Sequence, residues 1–314
     1  MKTLFLCFIS LWLTTLAYPQ TIAVNKMNEL KIYDAFNSGD FDELDKYIAR
    51  DEVDHAIPEG MTNGLEGTKA MFKNFKSAFP DGMIKILETV LEGDYMMIYS
   101  EFTGTNKGDF MGSPPTNKRV RVKSMDLVKF DHQGKAIEHW GQDDQIAMMR
   151  QMGLIPMQPS FPQIPLTGLT RSKMMKTTMD QNKKTTNTFF QYFNEGNLDG
   201  DVSLLDPDFK LWYNSDETAY GAGTYKMLGE TYLKAFPKPK WRATIQLAEG
   251  NKVASFTTFE GLNSGNFMDI PASNKIVMAI GYAIDYYKNG KIEKRVVVND
   301  DLSLMQQIGA NPAH

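Results

Sequence analysis

The sequence predicts an α+β protein built from two tandem copies of one domain, each an antiparallel sheet with helices laid on one face. Three observations carry that reading. The first is a long internal repeat. GTNKGDFMGSPPTNK (104–118) aligns without gaps on GLNSGNFMDIPASNK (261–275), with eight of fifteen positions identical, where ordinary residue frequencies give roughly one by chance. The same 157-residue offset pairs Ala78-Phe79-Pro80 with Ala235-Phe236-Pro237 and Phe36-Asn37 with Phe193-Asn194. One residue is then dropped, and 134–153 aligns with 290–309 through Gly134/Gly290, Asp144/Asp300, Met149/Met305 and Gly153/Gly309. A period this long means duplicated domains and not a solenoid. The second observation is that helical spacing comes first and strand alternation afterwards in each copy, the order of an α+β fold. The third is Pro156, Pro159, Pro162 and Pro165, which recur every third residue between the copies. That is the period of polyproline II, and it predicts a semi-rigid spacer.

The elements of the first copy follow in order. Residues 26–38 place Met27, Leu30, Tyr33, Ala35 and Phe36 on one helical face, closed by Gly39. Asp40 to Leu44 starts a second, short helix. Over 67–79, Met71, Phe72, Phe75 and Phe79 fall at helical spacing, and Pro80 stops the helix. Met83–Val90, a turn at Glu92-Gly93-Asp94 and Tyr95–Phe102 form one hairpin. Val120–Phe130, a turn at His132-Gln133-Gly134 and Lys135–Trp140 form another. A last helix, Ile146–Met152, is capped by Gly153. The first domain is therefore expected over 25–155, the linker over 156–182 and the second, diverged domain over 183–311.

Residues 1–20, MKTLFLCFISLWLTTLAYPQ, read as a signal peptide: Lys2, an apolar run from Leu4 to Leu13, then small residues at Thr15 and Ala17. The run is short for a bilayer span. The sole cysteine, Cys7, lies inside it, so the processed chain has no thiol and forms no disulfide. The expected location is secreted or periplasmic, with no membrane contact after cleavage. Lys and Arg total 34 against 38 Asp and Glu, a net charge of −4 that gives no general pull toward nucleic acid. A chain that is 42% hydrophobic and 23% charged is globular, not disordered. No H-x-H, HExxH, GxGxxG or GxSxG motif gives support for a metal, a nucleotide or a serine nucleophile.

Four segments carry a family resemblance: Phe36…Gly39-Asp40; Ala78-Phe79-Pro80-Asp81; Gly104-Thr105…Gly108…Phe110…Pro114; and Gly134-Lys135…Glu138-His139-Trp140…Asp144…Met148-Met149…Gln151-Met152-Gly153. On these residues the first copy resembles the SnoaL-like polyketide cyclase (ester cyclase) family of the nuclear transport factor 2-like superfamily. The second copy keeps Gly290-Lys291…Asp300…Leu304-Met305…Gln307-Ile308-Gly309, but has Lys294-Arg295-Val296 in place of the Glu-His-Trp triplet. The resemblance implies a cone-shaped fold, a curved sheet round a long helix with an apolar pocket at one end. It implies association through the sheet, so that the two copies form an intramolecular pseudo-dimer. It also implies intramolecular aldol chemistry without metal or cofactor, in which one aspartate is the general acid/base. By the Gly-Lys…Trp…Asp spacing that aspartate falls on Asp144. His55 stands where the family often has a polar pocket residue, and could orient a carbonyl or relay a proton.

Alternation puts Glu138, Trp140 and Asp144 on one side of the last strand, with His139 on the opposite, exposed side. Glu138 and Trp140, with Asp126, are the expected substrate contacts. Each candidate also has a plainer role. Asp144 precedes the apolar run of the last helix and fits an N-cap, as does Asp300 in the second copy. Glu138 fits a cross-hairpin partner of Lys123 or Lys129, Trp140 fits core packing, and His55 fits a structural histidine. The second-copy counterparts are Asp300, Trp212 for His55 and Tyr282 for Asp126, with Ser124 falling on Ile280. That exchange of polar for apolar side chains makes the first domain the expected working pocket. The expected function is cofactor-free acid/base catalysis (aldol cyclisation, isomerisation or hydrolysis) on a small apolar carbonyl or ester compound. The alternative is a non-catalytic binding protein for an apolar small molecule.

Overall fold

The computed structural model describes residues 14–57, 60–110, 112–158 and 160–310, with side chains from Ile22 onward. The signal peptide expected over 1–20 lies outside the described residues as far as Leu13. The first domain runs α1 (Thr14–Ser38), a 3-10 turn (Phe41–Lys46), β1 (Ile48–Asp54), α2 (Leu65–Ala78), β2 (Met83–Glu92), β3 (Tyr95–Thr105), β4 (Arg119–Phe130), β5 (Ala136–Asp143) and α3 (Gln145–Met152). The second runs α4 (Met179–Asn194), α5 (Leu198–Ser203), β6 (Leu205–Tyr213), α6 (Ala222–Ala235), β7 (Lys240–Glu249), β8 (Lys252–Leu262), β9 (Ile276–Lys288), β10 (Lys291–Asn299) and α7 (Asp301–Gln307). Each domain carries a five-stranded sheet, in the orders β1-β5-β4-β3-β2 and β6-β10-β9-β8-β7. β1 and β6 are additions to the predicted meander, and both pair in parallel with the last strand of their sheet. Bulges at Ile86/Glu88 in β2 and Ala243/Ile245 in β7 stand at equivalent positions, and bulges bend the strand that carries them.

The helices cover one face of each sheet, here called inner. In the first domain Ile32, Tyr33 and Ala35 of α1 pack on Met96, Ile98, Val128 and Phe130. Helix α4 does the same in the second with Phe189 and Phe190, and begins at a capping box of Thr178 and Gln181, four residues before the expected start of the domain. The spacer is strapped onto the second domain: Ile164 N–H donates to Thr224 Oγ1 at 3.0 Å, and Thr224 Oγ1 donates to the Pro162 carbonyl at 2.7 Å.

The outer faces of the two sheets pack on each other. Val90, Met97, Tyr99, Met125 and Leu127 meet Leu247, Ala254, Phe256, Ile284, Val296 and Val298 in one buried cluster. Hydrogen bonds cross it reciprocally. Ala248 N–H donates to Glu92 at 2.8 Å, while Leu91 N–H donates to Glu249 at 3.3 Å. Since Leu91 and Glu92 are the repeats of Ala248 and Glu249, each copy offers the other the same patch, as across a two-fold axis. The expected pseudo-dimer is thus present in the chain's own packing.

Candidate active site

The inner face of the first domain gathers ionisable groups that ordinarily stay at the surface. His139 on β5 has Nδ1 2.8 Å from Asp54 Oδ1 on β1, and Nε2 3.4 Å from Asp126 Oδ1 on β4. Tyr33 of α1 donates to the other Asp126 oxygen at 2.7 Å. Glu29 stands one turn before Tyr33, 3% exposed, and Glu52 accepts from Thr68 at 3.0 Å. Strand pairing explains the meeting: Asp54 lies beside His139 in β1–β5, and Asp126 is paired with Gly141, two residues on along β5. At Gly141 a Cβ would come within 2.8 Å of the Asp126 carboxylate, so the close approach requires glycine.

The cluster separates its pKa values. Burial opposes charge on His139, but the bonds from Asp126 and Asp54 outweigh it and hold the imidazolium well above its ordinary range. Burial likewise opposes charge on Asp54, yet the His139 bond keeps that carboxyl below its usual value. Glu29 is pushed up to about 8 by burial, against the pull of His139. Asp143, at the end of β5, is pushed up to about 7 by burial and by the neighbouring Asp126. Near neutral pH the face therefore offers a cation, a protonated acid and a half-ionised carboxylate side by side. Among the described residues no group of three or more His, Cys, Asp or Glu is arranged to hold a metal ion.

The expected residues divide between the two faces. Asp126 is in the cluster. His139, expected exposed, is turned inward with its side chain 20% exposed, because after the register irregularity that follows Ala136 the strand presents His139, Gly141 and Asp143 to the helices. Glu138, Trp140 and His55 are on the outer side: His55 Nε2 is 3.0 Å from Glu138, and its ring stacks on Trp140 at 4.7 Å. Trp140 also packs into the inter-sheet cluster, so none of these three lines the interior. Asp144 is a helix cap. One oxygen accepts from Ala147 N–H at 2.9 Å and the other from Ser215 N–H of the second domain at 2.9 Å. Asp300 caps α7 through Ser303 N–H at 3.0 Å. Trp212 and Tyr282 both belong to the inter-sheet cluster. Strand pairing puts Ser124 opposite Ser100 and Gly281 opposite Thr257. The dropped residue thus falls in the turn after β9, Ser124 matches Gly281, and Asp126 matches Ala283. A one-residue slip in the alignment had moved Tyr282 to the wrong face.

The well-formed cavity lies in the second domain, contrary to expectation. Phe193, Leu211, Tyr225, Leu228, Trp241 and Phe259 line it, and Asp300 and Asp301 also border it. The two domains share an aromatic set here, Phe75, Phe102 and Phe110 in the first and Tyr232, Phe259 and Phe267 in the second, but only the first adds Phe72, which meets Phe36 at 5.1 Å. Phe72 corresponds to Gly229, where the ring is missing and Leu198, the counterpart of Phe41, lies close to where a Cβ would stand. On the first domain a groove between α1 and β2, lined by Leu30, Tyr33, Asn37, Ile84 and Ile86, reaches Tyr33.

The model of the SnoaL-like polyketide cyclase family matches residues 28–152 and again 184–308. The chain belongs to that family, in two copies. Solved structures similar to single domains of this family member include IdmH, a putative polyketide cyclase from Streptomyces antibioticus. It is 28% identical over 41% of this chain and 98% of that one, with a TM-score of 0.38. TsrD from Streptomyces laurentii is 24% identical over 42% of this chain and 96% of that one, with a TM-score of 0.40. A putative SnoaL-like polyketide cyclase from Jannaschia sp. CCS1 is 22% identical over 43% and 96%, with a TM-score of 0.40. No curated protein matches the chain.

Sequence reasoning missed His139, Asp143, Asp54 and Glu29 as a group. Alternation groups His139 with Asp143, away from Glu138 and Trp140, but which of the two faces the helices cover shows only in the strand pairing.

Proposed function

We propose that the first domain is a cofactor-independent acid/base catalyst acting on a small apolar carbonyl or ester compound. The observation that carries this reading is His139 clasped between Asp54 and Asp126 with Asp143, at about 7, beside it. A carboxyl poised near neutrality is a suitable base for a proton alpha to a carbonyl. Asp143 takes that proton, and the electron pair moves onto the carbonyl oxygen. Glu29, neutral at pH 7 and with its buried Oε2 free of hydrogen-bond partners among the described residues, supplies a proton to that oxygen. The His139 imidazolium lowers the energy of the developing negative charge from a fixed position. Membership of a family described as polyketide cyclases favours ring closure as the step that follows.

The test is native mass spectrometry of the purified chain, with extraction of any retained small molecule, on wild type, Asp143→Asn and His139→Asn. Retention by Asp143→Asn of a compound that wild type returns altered is the expected result. The same unaltered compound in all three would overturn catalysis and leave a binding protein. The reading extends to export, supported by Lys2 and the Leu4–Leu13 run. The intact mass of protein from the secreted or periplasmic fraction should show loss of residues through Ala17, and a full-length cytoplasmic chain would refute it.

A further inference from the structure

The second domain has none of the first's acidic residues at the matching positions, but it has a buried cation at the cavity wall, with the buried carboxyls of Asp285 and Asp201 near it. Arg295 occupies the position of His139, 2% exposed, and borders the cavity. Its Nε is 3.1 Å from Asp285 Oδ1, and the guanidinium lies 3.9 Å over the Phe189 ring. Among the described residues none of Nε, Nη1 and Nη2 makes a well-formed hydrogen bond, so the contact of Nε with Asp285 is an ion pair only. Buried donors left without acceptors are costly, and His139 by contrast has a carboxylate at each nitrogen. A planar pair of Nη groups matches the two oxygens of a carboxylate, which satisfies both at once.

We propose that the second domain is a separate binding site for a small apolar carboxylic acid, whose carboxylate is received by Nη1 and Nη2 of Arg295. Its apolar body lies among Phe193, Leu228, Trp241 and Phe259. The open space of about 80 Å³ is room for roughly five to eight waters, or an acid of about ten non-hydrogen atoms. Asp285 holds the guanidinium from behind and is itself bonded by Thr186 at 3.1 Å. Burial pushes the Asp285 carboxyl up, against the pull of Arg295. The site needs nothing from the first domain's chemistry and stands whether or not that domain is catalytic.

Calorimetric titration of the full chain with phenylacetate, 3-phenylpropionate and octanoate, each compared with its neutral amide, tests the proposal. At least one acid should bind about tenfold or more tightly than its amide. Arg295→Lys, which keeps the charge and loses the fork, should weaken that acid about tenfold. Ala279→Phe should abolish binding by filling the cavity without altering Arg295. Replacing Arg295 by Met together with Asp285 by Leu removes both charges at once, a change that buried ion pairs often tolerate, and should erase the preference for acid over amide. Failure of all three acids to bind at millimolar concentration would overturn the proposal. So would equal binding of acid and amide, or binding unaffected by Arg295→Lys or by Ala279→Phe.

Discussion

The two domains share strand order, bulges and caps, yet their inner faces carry opposite chemistry. In the first, Glu29, Glu52, Asp54, Asp126, His139 and Asp143 face helices that carry Phe72 where the second domain has Gly229. In the second, the matching positions are Thr186, Phe209, Leu211, Ala283, Arg295 and Asn299, and the missing ring at Gly229 opens a cavity. The comparison teaches that a fold specifies where a site can be, while a handful of inward side chains decide what it can do.

The strongest way to break that contrast is to remove each domain's inner cation. His139→Leu leaves Asp54 and Asp126 without their shared partner, and Arg295→Leu leaves Asp285 buried and unpaired. Each should cost about 3–5 kcal/mol in urea denaturation, with the larger loss at His139, which serves two carboxylates. An equal and small effect at both would mean that these charges are already neutralised in the folded chain.

A second prediction concerns pH. Between the unfolded value near 4.3 and about 8, folded Glu29 holds a proton that the unfolded chain has lost. Stability therefore falls as pH rises through that window, and Asp143 acts in the same sense up to about 7. Glu29→Gln should flatten the fall in urea midpoint between pH 5 and pH 8, relative to wild type. His139 acts later: its contribution is full below its unfolded value near 6.5 and is lost as pH climbs through its raised folded value. An unchanged slope in Glu29→Gln would show that this carboxyl is already ionised in the folded chain.

The caps sharpen the comparison further. Asp300→Ala should cost about 1 kcal/mol, an ordinary cap loss. Asp144→Ala should cost about 2 kcal/mol, because it also releases Ser215 N–H of the other domain. Turnover lost without loss of stability in Asp144→Ala would restore the base role to that residue. The smallest effect is expected at Glu138→Ala. Its bonds to His55 at 3.0 Å and Lys129 at 3.9 Å lie at the surface, so thermal or urea midpoints should move by no more than about 0.5 kcal/mol.

The duplication, the spacer and most elements were legible because repeat, proline period and helical spacing are local signals. Strand β1 was not, since IARDEVD is mostly polar: Glu52 and Asp54 point into the acidic cluster, where charge marks burial and not exposure. The site was half legible. Asp126 was found, but the even-numbered face of β5 was taken for the interior because the resemblance puts the family's aspartate on Asp144, and the apolar Trp140 shares that face. In a sheet covered on one side, that inference holds. Here the outer face is covered as well, by the other domain, so an apolar side chain no longer tells inside from outside. The cap at Asp144 was readable from its position alone. Its neighbour Asp143 became meaningful only with the strand pairing in hand.

The reciprocal bonds of Glu92 and Glu249 are those a homodimer would make, but here a single chain makes both. In a homodimer every substitution arrives twice, once in each pocket, and any change that suits one task is imposed on the other. Tethering also keeps the local concentration of the partner high at any dilution. The spacer thus separates inheritance from assembly: Phe72 and Gly229 descend from one ancestral position, and each could change without asking the other's permission.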